Sequence, residues 1–84
     1  MDGETIKLKF PKQLADRMLE EVTIRRPIMA DLRKYPVKGP GDIEGEMRQL
    51  GALCGLTLEE MDLLDSFDYG RLQEAYVRFR TATD

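Results

Sequence analysis

TIKLKF, residues 5–10, decides the fold class of this chain because its apolar and polar residues alternate strictly. Ile6, Leu8 and Phe10 fall on one face, while a threonine and two lysines fall on the other. A period of two is typical of a half-buried β-strand. The stretch therefore predicts a strand whose inner face includes Phe10.

A second alternation, EVTIR at residues 21–25, predicts a partner strand and hence a β-hairpin over residues 5–25. The connecting residues 12–20 allow two interpretations. Leu14 and Met18 lie four residues apart among good helix formers, which favours a single helical turn. The proline that precedes this segment is tolerated on an edge strand, which favours an extended hairpin turn.

A short helix is predicted over residues 27–35, since proline suits the first position of a helix and Pro36 ends it. Ile28, Leu32 and Tyr35 recur at positions i, i+4 and i+7. Such spacing predicts that these three side chains face the core.

The Gly-Pro-Gly sequence within residues 36–41 predicts a linker, and the pattern of residues 42–80 predicts three helices. Asp42 is the predicted N-cap of the first of them. Its inward face is predicted to consist of Ile43, Met47, Leu50 and Cys54. Gly55 is suited to the left-handed position that ends a helix.

The remaining two helices are indicated by their start signals. Thr57-Leu58-Glu59-Glu60 fits a capping box, and either Asp65 or Ser66 can cap the last helix. The apolar stripe of that helix is Leu72, Ala75, Tyr76 and Phe79. These elements predict one small α+β domain over residues 1–84, with an N-terminal β-hairpin followed by a short helix and a C-terminal three-helix segment.

The composition is typical of a protein that folds in water. Hydrophobic residues make up 42% and charged residues 35% of the 84 residues. No apolar run approaches the roughly 18 residues that a bilayer span requires, and the acidic start Met1-Asp2-Gly3-Glu4 is unlike a secretory signal. A net charge of −3 opposes the neutralisation of phosphates. The sequence therefore predicts neither a membrane nor a nucleic-acid partner.

Catalytic chemistry has little support in these residue types. The chain has no histidine, the commonest general base and metal ligand, and its one cysteine, Cys54, lies on a predicted apolar helix face. The densest acidic stretch comprises Glu59, Glu60, Asp62, Asp65 and Asp68. Because apolar residues interrupt it, we interpret it as solvated side chains near helix starts and not as a cation site. We predict no catalytic residue, no metal site and no cofactor.

The predicted partner-binding residues are Met29, Tyr69, Leu72, Tyr76, Phe79, Arg25 and Arg26. Met29 lies beside the inward stripe of the short helix, and the last helix carries more aromatic surface than a small core needs. The adjacent arginines suit an anion such as a partner's carboxylate. The alternative interpretation is that the aromatic residues cover a thin core and that the arginines are only a polar strand end.

Several short motifs lie along nearly the whole chain: TIKL (5–8), VTIRRP (22–27), ADLR (30–33), GD (41–42), CGLT (54–57), EEMD (59–62), LD (64–65) and LQEA (72–75). In this order and spacing they resemble the phage tail assembly chaperone family of contractile-tailed phages and Mu-like prophages. Hairpins of that family usually carry an Asp-Gly-like turn. This chain reads LADRM at residues 14–18, so the resemblance leaves the type of turn open.

The resemblance implies a chaperone without catalytic residues that binds the tape measure protein, the long helical polypeptide that sets tail length. Binding would keep that client soluble until the tail tube polymerises around it. The implied location is the host bacterial cytoplasm, with absence from the mature virion. Whether the chain forms a homo-oligomer is left open.

Two other classes are alternatives. A small structural tail or head-completion protein would remain in the virion. A helix-turn-helix DNA-binding regulator is suggested by the closely joined helices at residues 42–54 and 57–64. The exposed residues of the second helix, Glu59, Glu60 and Asp62, oppose that alternative because phosphates would repel them.

Overall fold

The computed structural model describes residues 3–81. Two strands, β1 and β2, are followed by four helices, α1 to α4. Their bounds are β1 Gly3–Gln13, β2 Met18–Arg25, α1 Met29–Lys34, α2 Ile43–Cys54, α3 Leu58–Asp62 and α4 Ser66–Arg80. The predicted α+β class, with an N-terminal hairpin, a short helix and a three-helix segment, is confirmed.

The two strands pair antiparallel, and four residues, 14–17, connect them. The backbone N–H of Leu14 donates to the carbonyl oxygen of Arg17 across this loop, at 2.7 Å. Residues on both sides of the loop belong to strands. The extended hairpin turn is therefore confirmed, and the alternative of a helical turn over residues 12–20 is wrong.

β1 bulges away from β2 in its middle. Lys7 lies opposite Glu21, but the next pair along β1 is Lys12 with Leu19, so residues 8–11 face only Glu20. This irregularity overturns the prediction for Phe10, because the strict alternation of the strand ends at the bulge. The Phe10 side chain is 44% exposed instead of lying in the core.

Asp68 of α4 binds the backbone that the bulge leaves unpaired. Its two carboxylate oxygens accept hydrogen bonds from the N–H groups of Lys9 and Phe10, at 2.9 and 3.0 Å. The guanidinium of Arg71 donates to Asp68 at 3.2 Å and to the carbonyl oxygen of Lys7 at 2.5 Å. Asp68 is fully buried, so its interpretation as a solvated acidic residue was wrong.

The environment of Asp68 favours its charged form. Burial alone would raise the pKa of this carboxyl, but hydrogen bonds from Lys9, Phe10 and Arg71 outweigh that effect and hold the pKa below its usual value. A carboxylate that accepts several N–H groups satisfies them more strongly than a neutral oxygen does. The sheet is thus joined to α4 by charge-assisted hydrogen bonds.

The core lies between the inner face of the hairpin and helices α2 to α4. Its buried apolar side chains are Ile6, Leu8, Leu14, Leu19, Val22, Ile24, Leu50, Leu53, Met61, Leu72 and Ala75. Two residues predicted to face inward, Ile28 and Ile43, are exposed instead. Ile28 is the residue that precedes α1, and Ile43 is the first residue of α2, so both lie at the start of a helix.

Local end signals set the bounds of α2 and α3 as predicted. The Asp42 carboxylate accepts from the N–H of Gly45 at 3.1 Å, and Gly55 adopts the left-handed conformation with φ of 72°. Thr57 and Glu60 exchange the two hydrogen bonds of a capping box, at 3.0 and 3.1 Å. Within residues 3–81, no helix has the length and apolar character that crossing a bilayer needs.

Replacing Asp68 with alanine tests the connection between the sheet and α4. Asp68→Ala leaves two backbone N–H groups and one guanidinium without their acceptor, so we expect the free energy of unfolding to fall by about 3 kcal/mol. Urea denaturation followed by circular dichroism measures the change. The matched control is Asp62→Ala, which changes an exposed residue of α3 and should alter stability by less than about 0.5 kcal/mol. Equal effects of the two substitutions would contradict this role of Asp68.

Candidate functional site

A groove of about 530 Å³ runs between α2, α4 and the segment that joins α1 to α2. Such a volume lies within the range of about 300 to 1,000 Å³ found for ligand pockets. The residues that line it are Leu32, Pro36, Val37, Glu46, Gln49, Leu50, Gln73, Tyr76, Val77 and Arg80. The groove is therefore a candidate binding surface.

The groove combines an apolar floor with a polar rim. Leu50 is buried at the bottom, Tyr76 is half-buried, and Val77 is 60% exposed on α4. Four polar side chains complete the lining: Glu46, Gln49, Gln73 and Arg80. An apolar surface with a few placed polar groups is typical of a binding site that orients its ligand.

Glu46 is held in place from α4. Its Oε1 accepts hydrogen bonds from the hydroxyl of Tyr69 at 2.6 Å and from the amide of Gln73 at 2.8 Å. Burial, together with the hydrogen bond to Glu46, raises the pKa of the Tyr69 hydroxyl well above its usual range. Tyr69 is therefore a stable donor that fixes the carboxylate at the groove.

Gln49 holds the segment that follows α1 at the groove. Its amide is buried and donates to the carbonyl oxygen of Tyr35, the residue that ends α1, at 2.8 Å. Pro36 and Val37, which follow directly, line the groove. The hydrogen bond from this buried residue of α2 thus positions the segment after α1 that lines the groove.

Arg80 lies at the end of α4 and stacks on Tyr76. Its guanidinium carbon is 5.7 Å from the centre of the Tyr76 ring, and one nitrogen donates to the tyrosine hydroxyl at 3.2 Å. An arginine over an aromatic face gains a cation–π attraction. The charge therefore stays at the rim of the groove.

The predicted aromatic and apolar site residues lie in different places in the structure. Tyr76 lines the groove, and Tyr69 reaches it through Glu46. Phe79 is half-buried against the core and does not line the groove. Leu72 is fully buried, so its side chain is unavailable to a partner in this structure. The helical stripe from which these residues were predicted contains both core and surface positions.

The two predicted arginines bind within the chain. Arg25 forms a bidentate ion pair with Asp31, at 2.9 and 2.7 Å, and thereby joins the end of β2 to α1. Arg26 donates to the carbonyl oxygen of Phe79 at 3.1 Å and lies 5.1 Å from the centre of its ring. Met29 is 74% exposed at the start of α1 and lies outside the groove.

Several groove residues were not predicted from the sequence, most notably Glu46, Gln73, Val77 and Arg80. The last three recur at i, i+4 and i+7 along one face of α4, a spacing that indicates a shared surface. Periodicity alone does not say whether that surface meets the core, a partner or water. The three-dimensional contact with α2 decides this.

The remaining chemistry of the described residues favours noncovalent binding. Burial raises the pKa of the Cys54 thiol to about 12, which keeps it protonated and weakly nucleophilic. Within residues 3–81, no group of three or more cysteine, aspartate or glutamate side chains lies close enough to hold a metal ion. The groove offers apolar contacts and hydrogen bonds.

The chain matches the model of a known protein family. The family model described as phage tail assembly chaperone proteins, E, or 41 or 14, matches residues 5–80, nearly the whole chain. The matched range includes β1 from residue 5 onward, β2, all four helices and the groove. No curated protein and no solved structure matches the chain.

The Arg25–Asp31 ion pair predicts a pH-dependent stability. The hydrogen bonds from Arg25, followed by that from the N–H of Ile28, lower the pKa of Asp31 to about 2. Because the unfolded carboxyl protonates near pH 3.8, this stabilisation is present above pH 4 and is lost as the pH falls toward 2. We expect Asp31→Asn to lower the free energy of unfolding by about 1 to 2 kcal/mol at pH 7 and by much less at pH 2.

Urea denaturation of the two proteins at both pH values measures this difference. The matched control is Asp16→Asn, since Asp16 also contacts an arginine, Arg17, but on the exposed hairpin loop. Its effect should stay below about 0.5 kcal/mol at either pH. A cost of Asp31→Asn that is the same at pH 7 and pH 2 would contradict the assignment.

Proposed function

The chain belongs to the family of phage tail assembly chaperone proteins, and we propose that its client is the tape measure protein of its phage. Binding masks apolar helices of that client and keeps it soluble until the tail tube assembles around it. The groove between α2 and α4 is the observation that supports this proposal.

The lining of the groove suits an apolar helix that needs temporary cover. Leu50, Tyr76 and Val77 offer contacts to apolar side chains, and two sides of the groove are the helices α2 and α4. A helix laid into a groove of this kind buries its apolar face and satisfies its own backbone groups. Soluble tape measure protein is the expected result.

The modest size of the groove suits reversible binding. Few side chains can enter about 530 Å³, so the client is held by few apolar anchors. A contact with few anchors dissociates more readily than a large permanent interface. Release of the client during tail polymerisation requires such reversibility.

The proposed chaperone also has an expected location and an expected second contact surface. It acts in the host bacterial cytoplasm, where tail proteins are made, and it is absent from the mature virion. Exposed Met29 and its neighbour Ile28 offer a second apolar contact to the long client or to another copy of this chain. A homo-oligomer would place several grooves along one tape measure protein.

Co-expression with the tape measure protein tests the proposal. The wild-type chain should move most of that client into the soluble fraction and co-purify with it. Val77→Asp puts a charge in the apolar lining of the groove and should weaken client binding by about tenfold or more, because the carboxylate loses water on docking. Val77 is exposed, so the fold should tolerate the change.

Ile43→Asp is the matched control, since Ile43 is 65% exposed on α2 but does not line the groove. It should retain client binding, and circular dichroism should show that both variants are folded. The proposal fails if the solubility of the tape measure protein is unaffected by the wild-type chain. Equal loss of binding in both variants would place the contact elsewhere.

Mass spectrometry of purified phage particles distinguishes a chaperone from a structural tail or head-completion protein. We expect peptides of the tail tube and tape measure proteins but none of this chain. Infected-cell lysate provides the positive control, because the same peptides of this chain must be detectable there. A stoichiometric amount in the virion would favour the structural role.

A further inference from the structure

Two opposite charges line the groove without ion-pair partners. Glu46 and Arg80 make no salt bridge with any residue in the range 3–81, although arginines elsewhere in the fold pair with carboxylates. The hydrogen bonds to Glu46 come from a hydroxyl and an amide, which carry no charge. Both charges are therefore available to a partner.

The distance between Glu46 and Arg80 follows from the geometry of α4. Glu46 is hydrogen-bonded to Gln73, and Arg80 lies seven residues after Gln73 on the same helix face. Two helical turns correspond to about 10 Å. Tyr76 and Val77 lie between these positions along α4. The groove thus carries an acid at one end, a base at the other and apolar side chains between them.

The walls of the groove favour a helical occupant. The backbone groups of α2 and α4 are hydrogen-bonded within those helices, so an extended segment would find no strand edge on either of these two sides. A helix brings its own backbone hydrogen bonds. About two turns of it cover the distance from Glu46 to Arg80.

We infer that the groove selects a client helix in which a basic and an acidic residue lie about seven positions apart, with apolar residues between them on the same face. The basic residue meets Glu46 and the acidic residue meets Arg80, so the pair of charges also fixes the direction of the bound helix. This inference rests on the proposed function, because it describes which helices of the client the same groove accepts.

The cost of desolvating Glu46 and Arg80 is the physical basis of this selection. Docking removes water from Glu46 and Arg80, and an unpaired charge loses more by this than it gains from apolar contact. A helix with the opposite order of charges adds repulsion at both ends. Entirely apolar helices and reversed helices are therefore disfavoured.

Overlapping synthetic peptides of about 20 residues, which tile the tape measure protein, provide the probe. Fluorescence anisotropy measures their binding to the full chain. The bound peptides should carry the predicted pair of charges, and Glu46→Gln and Arg80→Gln should each weaken binding by about tenfold. Glu46→Gln keeps an oxygen for the Tyr69 hydroxyl, so the local fold is preserved.

A charge exchange makes the test specific. Peptides with their two charges swapped should bind the wild-type chain about tenfold more weakly and regain affinity for the double variant Glu46→Lys/Arg80→Glu. The controls are Glu74→Gln and Arg33→Gln, which change exposed residues outside the groove. Each control should stay within about twofold of wild type.

The outcomes separate this inference from the proposed function. Tight peptide binding that is insensitive to Glu46→Gln and Arg80→Gln overturns the charge selection and leaves the client assignment intact. Bound peptides without the pair of charges do the same. If neither the peptides nor the full-length tape measure protein binds the wild-type chain, the proposed function fails and the inference fails with it.

Discussion

The contact of the buried Asp68 carboxylate with the bulge of β1 is the constraint on which the rest of the structure depends. Residues 8–11 do not pair with β2, and the N–H groups of Lys9 and Phe10 would be costly to leave without an acceptor. Asp68 supplies two oxygens for them and Arg71 binds the carbonyl oxygen just before the bulge. The first turns of α4 are thereby held on the sheet in one register. Since Gln73, Val77 and Arg80 follow on the same helix, this contact also positions one wall of the groove.

The other wall depends on two polar contacts that hold α1 against the rest of the fold. Arg25 binds Asp31 from the end of β2, and Gln49 binds the carbonyl oxygen of Tyr35 from within α2. Helix α1 has only six residues and places little apolar surface in the core, so packing alone would hold it weakly. Arg25 thus has a structural role, because its ion pair with Asp31 joins the end of β2 to α1.

The features that were predictable from the sequence are those set by near neighbours along the chain. Asp42, Gly55 and the Thr57–Glu60 capping box act within a few residues, and the alternation of β1 and β2 marks the hairpin directly. The burial of Asp68 was not predictable, because its partner Lys9 lies 59 positions away. The exposure of Phe10 depends on the same distant contact. Tyr76 was identified as a binding residue from its aromatic ring, whereas Glu46 acquires its role only when α2 and α4 come together.

The long separation between the bulge and Asp68 also has a consequence for the order of folding. A two-stranded hairpin is marginally stable by itself, and in this hairpin the middle of one strand has no partner within the sheet. The chain must therefore close a loop of nearly sixty residues, at a considerable entropic cost, before the N–H groups of β1 are satisfied. Contacts of such high sequence separation slow folding and join distant segments into one cooperative transition. Because the hairpin precedes α4 along the chain, we expect it to become stable during synthesis only after the first turns of α4 have left the ribosome.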